Sequence, residues 1–529
     1  MNNPHRFYGF NSEDSIPRWP SSATAQSLAS TRRSSSNASS ASYPTYTMHP
    51  APDKPLPPLP TSASGSSTSI GRPLSHTSLD SSFRSSHYSD RSASFGAQPS
   101  GASSTHSSPP SQFAIASKQQ YAYNVPQSSL STELSLRTFV VSDDKRINNS
   151  VHYLDISSTS CTLASKHGNN VVKVWSVDTG DVLGQIKFSS YTEARSRSRD
   201  YLIRSHAILS EINSLIAIAT KFGRTLEIWN WERRRCLQTI DGTDRWAVGK
   251  METYDHGWAS LAVYRGETGI IDLFAATKEK KPFIKARTIS LTDANLPFVP
   301  QYPELALSAT SPLLIAVAGP RPPRRGHPPP QRETLLVAWQ THHDATSGSR
   351  PYRIARPWQH RELDTAIPSD LNTYGSIVVS IWIPATYRAV PAPATRGGTC
   401  FNLHPVEVTS RYVLVWDLAA NSTRTFGIPN CTACISPDCR FVAYCHASGA
   451  AIGARGTLAV LDVISSREIW CWPDRNATAI DSGPQPGFSQ FDDLAKVNEL
   501  SFSADSKSLM VGDGDGRICI YDISPRDIV

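Results

Sequence analysis

Four cysteines and a histidine lie within the segment "CTACISPDCRFVAYCH", and their side chains are of the types that bind zinc. Cys431 and Cys434 have the C-x-x-C spacing of a zinc site, and Cys439, Cys445 and His446 follow. No second C-x-x-C pair accompanies the first, so we predict no metal site here. We expect Cys434 and Cys445 to be small apolar residues on adjacent strands, and Cys439 to replace a turn glycine.

The segment "GDGDGRICIYD" alternates glycine with aspartate, as calcium-binding loops do. An EF-hand loop would begin at Asp513. Its positions 5, 6 and 12, which require an oxygen ligand, a glycine and a glutamate, would be Arg517, Ile518 and Ser524. The Asp-Gly pairs instead favour a tight hairpin turn between two short β-strands.

Two basic segments and one histidine pair are further candidates for binding. "RSRSR" covers residues 195–199, and "RPPRRGH" contributes Arg321, Arg324 and Arg325. We expect both to be solvated loops, and the second is a possible contact for phosphate or for an acidic partner. "THHD", residues 341–344, is expected to be a polar turn, because a metal site needs ligands that converge from several elements.

The sequence contains no P-loop, H-E-x-x-H or G-x-S-x-G motif. We therefore predict no catalytic residue and no cofactor, and we expect a protein that is not an enzyme.

Composition excludes several classes of protein. The formal charge of +7 over 529 residues is too small to indicate nucleic-acid binding. No apolar run approaches the 18 or so residues of a membrane span, and the first residues, "MNNPHRFYGF", lack the apolar core of a signal peptide. Nine cysteines are ordinary for a reducing compartment, so we expect the cytoplasm, with the nucleus as an alternative.

The chain divides into two unlike parts. Residues 21–110 contain 29 serines and few large apolar residues, so this part cannot bury enough apolar surface to offset the entropy of ordering. We predict a disordered arm over residues 1–128. From residue 129 to residue 529, short runs of β-branched and aromatic residues alternate with turn residues, which indicates an all-β domain.

The arm carries the motif "KPLPPLP". In a polyproline II helix, which has about three residues per turn, Leu56 and Leu59 fall on one ridge, and Lys54, Pro57 and Pro60 fall on another. This arrangement resembles SH3-domain ligands whose basic residue is N-terminal, and it implies an SH3-domain protein as a partner. The alternative is a stiff spacer.

The arm also contains candidate phosphorylation sites. Ser35 follows an Arg-Arg pair, Ser75 lies in "RPLS", and Ser108 precedes a proline. A phosphate at any of them would add charge to an accessible chain, which suggests a regulated arm.

Seven strand-like segments recur in the second part, each with alternating apolar residues followed by a large residue. The large residues are Trp175, Trp229, Phe274, Trp339, Trp416, Leu461 and Tyr521. The shortest spacing between them, 45 residues, matches a four-stranded unit, and the longer spacings contain insertions.

These segments resemble WD40 repeats. The resemblance covers residues 130–529 and rests on "VWD" at Val415–Asp417, on the related "VWS", "IWN" and "IYD", and on the "SPD" turn at Ser436–Asp438. It implies a seven-bladed β-propeller in which Trp416 is buried between blades. The last segment would leave its blade one strand short, so we predict that Leu134–Val141 supplies the missing strand and closes the ring.

A propeller does not by itself specify a function. Because no catalytic motif is present, the sequence favours a protein-interaction scaffold with a regulated arm. One alternative is an enzyme whose residues gather around the channel from several blades. Another is a phosphoinositide-binding propeller, for which the basic turn Arg233–Arg235 is a candidate without the motif that normally surrounds such a pair.

Overall fold

The computed structural model describes residues 132–168, 170–188, 204–249, 258–277, 280–301, 303–321, 323, 326–328, 333–342, 348–393, 399–446, 456–472 and 494–525. The predicted disordered arm, the SH3-ligand motif and the phosphorylation sites lie outside these residues, so they stay predictions.

The described residues form seven antiparallel sheets of four strands each, and each sheet is one blade of a β-propeller. Blade 1 consists of β2 (Val151–Ile156), β3 (Thr162–His167), β4 (Val171–Ser176) and β5 (Val182–Lys187). Blade 2 consists of β6 (His206–Ser210), β7 (Leu215–Thr220), β8 (Thr225–Asn230) and β9 (Arg235–Asp241). Blade 3 consists of β10 (Arg245–Val248), β11 (Leu261–Arg265), β12 (Ile270–Ala276) and β13 (Phe283–Ser290). The predicted fold class, an all-β propeller of seven blades, is confirmed.

The next three blades repeat this order. Blade 4 consists of β14 (Glu304–Leu307), β15 (Leu313–Ala318), β16 (Leu335–Gln340) and β17 (Arg353–Ala355). Blade 5 consists of β18 (Ala366–Tyr374), β19 (Ile377–Pro384), β22 (Ser410–Asp417) and β23 (Ser422–Pro429). Blade 6 consists of β24 (Thr432–Ile435), β25 (Phe441–His446), β26 (Thr457–Asp462) and β27 (Arg467–Trp472). The long spacing before Trp416 contains an insertion in blade 5, a two-stranded hairpin of β20 (Tyr387–Pro393) and β21 (Thr399–Pro405).

Blade 7 contains both ends of the described chain. Its strands are β28 (Val497–Phe502), β29 (Ser508–Asp513), β30 (Arg517–Pro525) and, outermost, β1 (Thr132–Val141). β1 pairs antiparallel with β30, from Thr132 opposite Pro525 to Val141 opposite Arg517. The predicted closing strand is therefore confirmed, and it extends two residues further toward the N-terminus than the sequence indicated.

Short 3-10 turns at Lys221–Gly223, Arg361–Leu363 and Leu494–Lys496 complete the described secondary structure. No helix among the described residues is long and apolar enough to cross a membrane.

The core lies between blades, where the apolar faces of neighbouring sheets meet. Trp416 in β22 is fully buried, in a cluster that joins Trp382 of its own blade to Leu336 and Ala338 of blade 4. Its indole Nε1 donates to Asn421 Oδ1 at 3.0 Å, which satisfies the polar atom of this buried ring. The predicted position of Trp416 between blades is confirmed.

A serine turn joins the first two strands of several blades. In blade 6, Ser436 Oγ donates to Asp438 and accepts from the backbone N–H of Phe441 at 2.8 Å. Cys439 completes that turn with φ of 59°, a conformation that glycine adopts most easily. Cys439 therefore does occupy a position suited to glycine, as predicted.

The closing strand yields a test by truncation. Deleting residues 1–128 leaves β1 whole, so we expect a cooperative thermal transition at the temperature of the full chain. Deleting residues 1–145 removes β1 and exposes the edge of β30, so we expect aggregation or a clearly lower transition temperature. Light scattering and circular dichroism measure both. Equal transitions in the two truncated proteins would contradict closure by β1.

Candidate functional site

The first strand of each blade lines a central channel. The cavity has a volume of about 1250 Å³ and is open to solvent. Its mouth is formed by the turns that join first and second strands, because residues of these turns line it in most blades. A propeller places seven equivalent strands around one axis, so residues far apart in sequence meet here.

Four acidic residues on the first strands line this channel, and we call them the channel carboxylates. They are Asp155 in blade 1, Glu304 in blade 4, Asp370 in blade 5 and Glu499 in blade 7. Arg204, just before β6, lies among them, and its guanidinium carbon is 6.0 Å from the centre of the Trp246 ring in blade 3.

Two of these carboxylates join neighbouring blades. Asp155 Oδ2 accepts a hydrogen bond from the backbone N–H of Ile208, on the first strand of blade 2, at 2.7 Å. Asp370 Oδ2 accepts from the backbone N–H of Ile435, on the first strand of blade 6, at 3.1 Å. Each carboxylate therefore satisfies a backbone donor that has no strand partner on the channel side.

The same arrangement joins the last blade to the first. Glu499 accepts from the backbone N–H of Leu154, which is on the first strand of blade 1. Beside it, Asn498 Nδ2 donates to Ser150 Oγ at 3.0 Å. The ring is thus closed twice, by β1 at its circumference and by these contacts at its channel.

The fourth channel carboxylate is held differently. Glu304 Oε2 lies 3.7 Å from Arg245 Nε of blade 3, and both side chains are 13% exposed. A partly buried pair of this kind keeps its charges only where each compensates the other. Glu304 is therefore positioned by an ion pair between blades.

Burial shifts the channel carboxylates toward their neutral forms. It raises the pKa of Asp155 to about 6, although Arg204 acts in the opposite direction. It raises the pKa of Glu304 to about 7, against the effects of Arg245 and Arg204. Burial also raises the pKa values of Asp370 and Glu499, which in addition repel each other. The positive charge in the channel does not compensate these four groups fully.

Three further acidic residues stand at the channel mouth, and we call them the mouth carboxylates: Glu211, Asp438 and Asp505, on the turns of blades 2, 6 and 7. Hydrogen bonds from Ser157 and Thr159 hold the pKa of Glu211 below its usual value despite partial burial. Bonds from Ser503 and the backbone do the same for Asp505. These two groups are therefore ionised at neutral pH.

The cysteines of "CTACISPDCRFVAYCH" are distributed over strand and turn. Cys434 lies in β24 and Cys445 in β25, and both are buried as predicted. Burial raises the pKa of Cys431 and of Cys445 to about 12, so these thiols stay protonated. Among the described residues, no group of three or more His, Cys, Asp or Glu side chains could hold a metal ion.

Asp513 of "GDGDGRICIYD" is buried, and its carboxylate accepts from the backbone N–H groups of Asp515 and Arg517 and from Arg517 Nε. The segment forms the hairpin turn between β29 and β30, as predicted. Gly516 has φ of 90°, which the turn requires and which L side chains rarely adopt.

The predicted basic sites are not brought together with the channel. Arg321 follows β15 and its side chain is exposed. Its Nε lies 4.0 Å from Glu333 Oε2. Arg324, Arg325 and the segment 195–199 lie outside the described residues. Arg233 and Arg234 lie in the turn between β8 and β9 and Arg235 begins β9, on the side of the blade away from the channel.

Of the "THHD" segment, His342 is exposed, and its ring meets the Trp258 ring edge-on at 6.4 Å between centroids. The next two residues of this segment lie outside the described part of the chain.

Two comparisons of the sequence were made, with family models and with curated protein sequences. Neither a family model nor a curated protein sequence matches the chain. The propeller is therefore established by its strands and their pairing alone.

The contact between Asp370 and Ile435 can be tested with a matched pair of substitutions. The backbone N–H of Leu371 also donates to Asp370, to Oδ1 at 2.9 Å. Asp370→Ala leaves the N–H groups of Ile435 and Leu371 without this acceptor, so we expect a loss of about 1–3 kcal/mol in the free energy of unfolding. Asp370→Asn keeps an acceptor oxygen, so we expect a smaller loss.

The two variants should also differ in their response to pH. The raised pKa of Asp370 means that the folded protein binds this proton more tightly than the unfolded chain. The stability contributed by Asp370 is therefore lost as pH rises through its folded pKa, whereas Asp370→Asn has no such loss at this site. Urea midpoints at about pH 5.5 and pH 8 measure both effects. If Asp370→Ala and Asp370→Asn lose the same free energy of unfolding, the hydrogen bond between Asp370 and Ile435 does not stabilise the fold.

Proposed function

We propose that this protein is a non-enzymatic protein-interaction scaffold of the WD40 type. The observation that carries this proposal is the role of the channel carboxylates. Asp155, Asp370 and Glu499 each hold the first strand of the next blade, and Glu304 pairs with Arg245. Their convergence in the channel is accounted for by the architecture and requires no catalytic role.

Membership of the WD40 family is supported by local features of the blades. The "VWD" segment ends the third strand of blade 5, and the "SPD" turn joins the first two strands of blade 6. The blade 1 sequence adds a buried polar chain, in which Trp175 Nε1 donates to Ser165 Oγ at 2.7 Å and Ser165 contacts His167 at 2.8 Å. All three features stabilise single blades from within.

A propeller enzyme is the second candidate, because one observation favours it. Glu304 has a pKa near 7, which is suited to general acid–base catalysis at neutral pH. Its oxygen already pairs with Arg245, which supports the scaffold instead. Phosphoinositide binding through Arg233–Arg235 has weaker support, and a liposome pull-down would detect it.

The proposed scaffold has two binding regions. The propeller offers its channel mouth and the loops around it, and the arm offers "KPLPPLP" with nearby phosphorylation sites at Ser35, Ser75 and Ser108. The chain contains nine cysteines, which is ordinary for a protein of a reducing compartment, so this number suits a scaffold of the cytoplasm or the nucleus. An SH3-domain protein is the partner class that the arm predicts.

The arm motif gives the test of the proposed function. A peptide of residues 50–62 should bind at least one domain of an SH3 array, because the ridges of its polyproline II helix match the two grooves and the acidic pocket of such domains. Pro57→Ala with Pro60→Ala should abolish binding. Pro52→Ala, outside the motif, should leave it unchanged.

The same double substitution in the full chain should not alter the thermal transition of the propeller. The proposal for the arm fails if no SH3 domain binds the peptide, or if binding survives the loss of both prolines.

A further inference from the structure

The channel carries more acidic than basic groups. Its described lining contains the four channel carboxylates and the three mouth carboxylates, opposed by Arg204 and Arg411. If all of these groups are ionised and Arg245, which pairs with Glu304, is counted with them, the excess is seven minus three, or four negative charges. The whole chain carries a formal charge of +7, so this acidic surface is a local feature and not a consequence of composition.

The acidic groups are arranged from the mouth inward. The mouth carboxylates lie on turns, and the channel carboxylates lie on the strands behind them. A concave surface with low-dielectric walls concentrates the field of such charges and attracts ligands of opposite sign. The arrangement therefore favours a positively charged ligand that enters through the mouth.

A polar group in the channel wall also lacks a partner. Thr373, in β18, lines the channel and is 5% exposed, and its Oγ1 forms no hydrogen bond with any described residue. A buried hydroxyl without a partner is costly, and a ligand that carries N–H donors would satisfy it. This second observation points to a ligand that combines positive charge with hydrogen-bond donors.

We propose that the channel binds an arginine or lysine side chain carried by a basic segment of a partner protein. This inference deepens the scaffold function and rests on it. A cavity of about 1250 Å³ is far larger than an inorganic ion and has room for side chains of a peptide. Arg204 shows that the channel can surround one guanidinium, and the remaining carboxylates can pair with another cation.

The channel carboxylates make this binding depend on pH. The charged and titratable groups that interact with them are Tyr153, Arg204, Arg245 and Cys434, and His152 and Arg411 line the same cavity. A bound cation favours the ionised carboxylates, whose pKa values burial has raised, so binding releases protons. Affinity should therefore increase as the pH rises from about 5.5 to 8.

The experiment measures fluorescence anisotropy of a labelled peptide, Gly-Ser-Arg repeated three times, with the full-length protein. A second peptide has citrulline at each arginine, which keeps the shape and removes the charge. We expect saturable binding of the arginine peptide, at least tenfold weaker binding of the citrulline peptide, and higher affinity at about pH 8 than at pH 5.5.

Matched variants locate the site. Asp370→Asn with Glu499→Gln removes two channel charges and keeps the acceptor oxygens, so we expect at least a tenfold loss of affinity. Glu267→Gln removes an exposed acidic side chain on the turn between β11 and β12, at the other end of the propeller, and should change affinity less than twofold. Circular dichroism confirms that each variant is folded.

Equal binding of the arginine and citrulline peptides would overturn the proposal, and so would equal losses in the channel variant and the Glu267→Gln control. If the channel variant does not fold, the comparison of the two peptides on the wild-type protein decides the matter. The SH3 experiment tests residues 50–62, and the peptide experiment tests the channel. Because the two experiments use different parts of the protein, one proposal can fail while the other holds.

Discussion

Closure of the ring is the constraint on which the rest of the structure depends. A propeller that is built along the chain ends with a sheet edge whose backbone groups have no partner, and such an edge invites aggregation. Here β1 covers the edge of β30 over its whole length, so the first and last described strands share one sheet. The apolar clusters join neighbouring blades within this circle, for example blades 2 and 3 and blades 4 and 5.

The channel follows from the same closure. First strands that face an axis expose backbone donors with no further strand to accept them, and acidic side chains of neighbouring blades satisfy several of these donors. As a consequence, these carboxylates are half-buried. Burial raises their pKa values, and their negative charge is not fully compensated. The structural solution for the channel thus produces the acidic surface to which we assign ligand binding.

The sequence predicts the fold well because each strand of the fold follows from a local pattern of residues. Each third strand carries alternating apolar residues and a large residue such as Trp416, and the closing strand repeats the alternation. The channel site leaves no such pattern. Asp155 and Glu499 are each a single acidic residue in a short strand, far apart along the chain, and only the ring brings them together. The unpartnered hydroxyl of Thr373 likewise depends on tertiary contacts, and no spacing in the sequence indicates it.

A disulfide between β1 and β30 tests ring closure most directly. Phe139 lies opposite Cys519, a buried cysteine in the reduced state, in the antiparallel pair. Opposed residues of such a pair are about 4.5–5.5 Å apart at Cα, within the range that a disulfide spans. Oxidation of Phe139→Cys should give a cross-link to Cys519, identified by mass spectrometry and lost with Cys519→Ser. Two results would contradict the account. One is a cross-link to Cys519 that forms with Thr138→Cys and not with Phe139→Cys, and the other is a folded protein in which neither variant forms it.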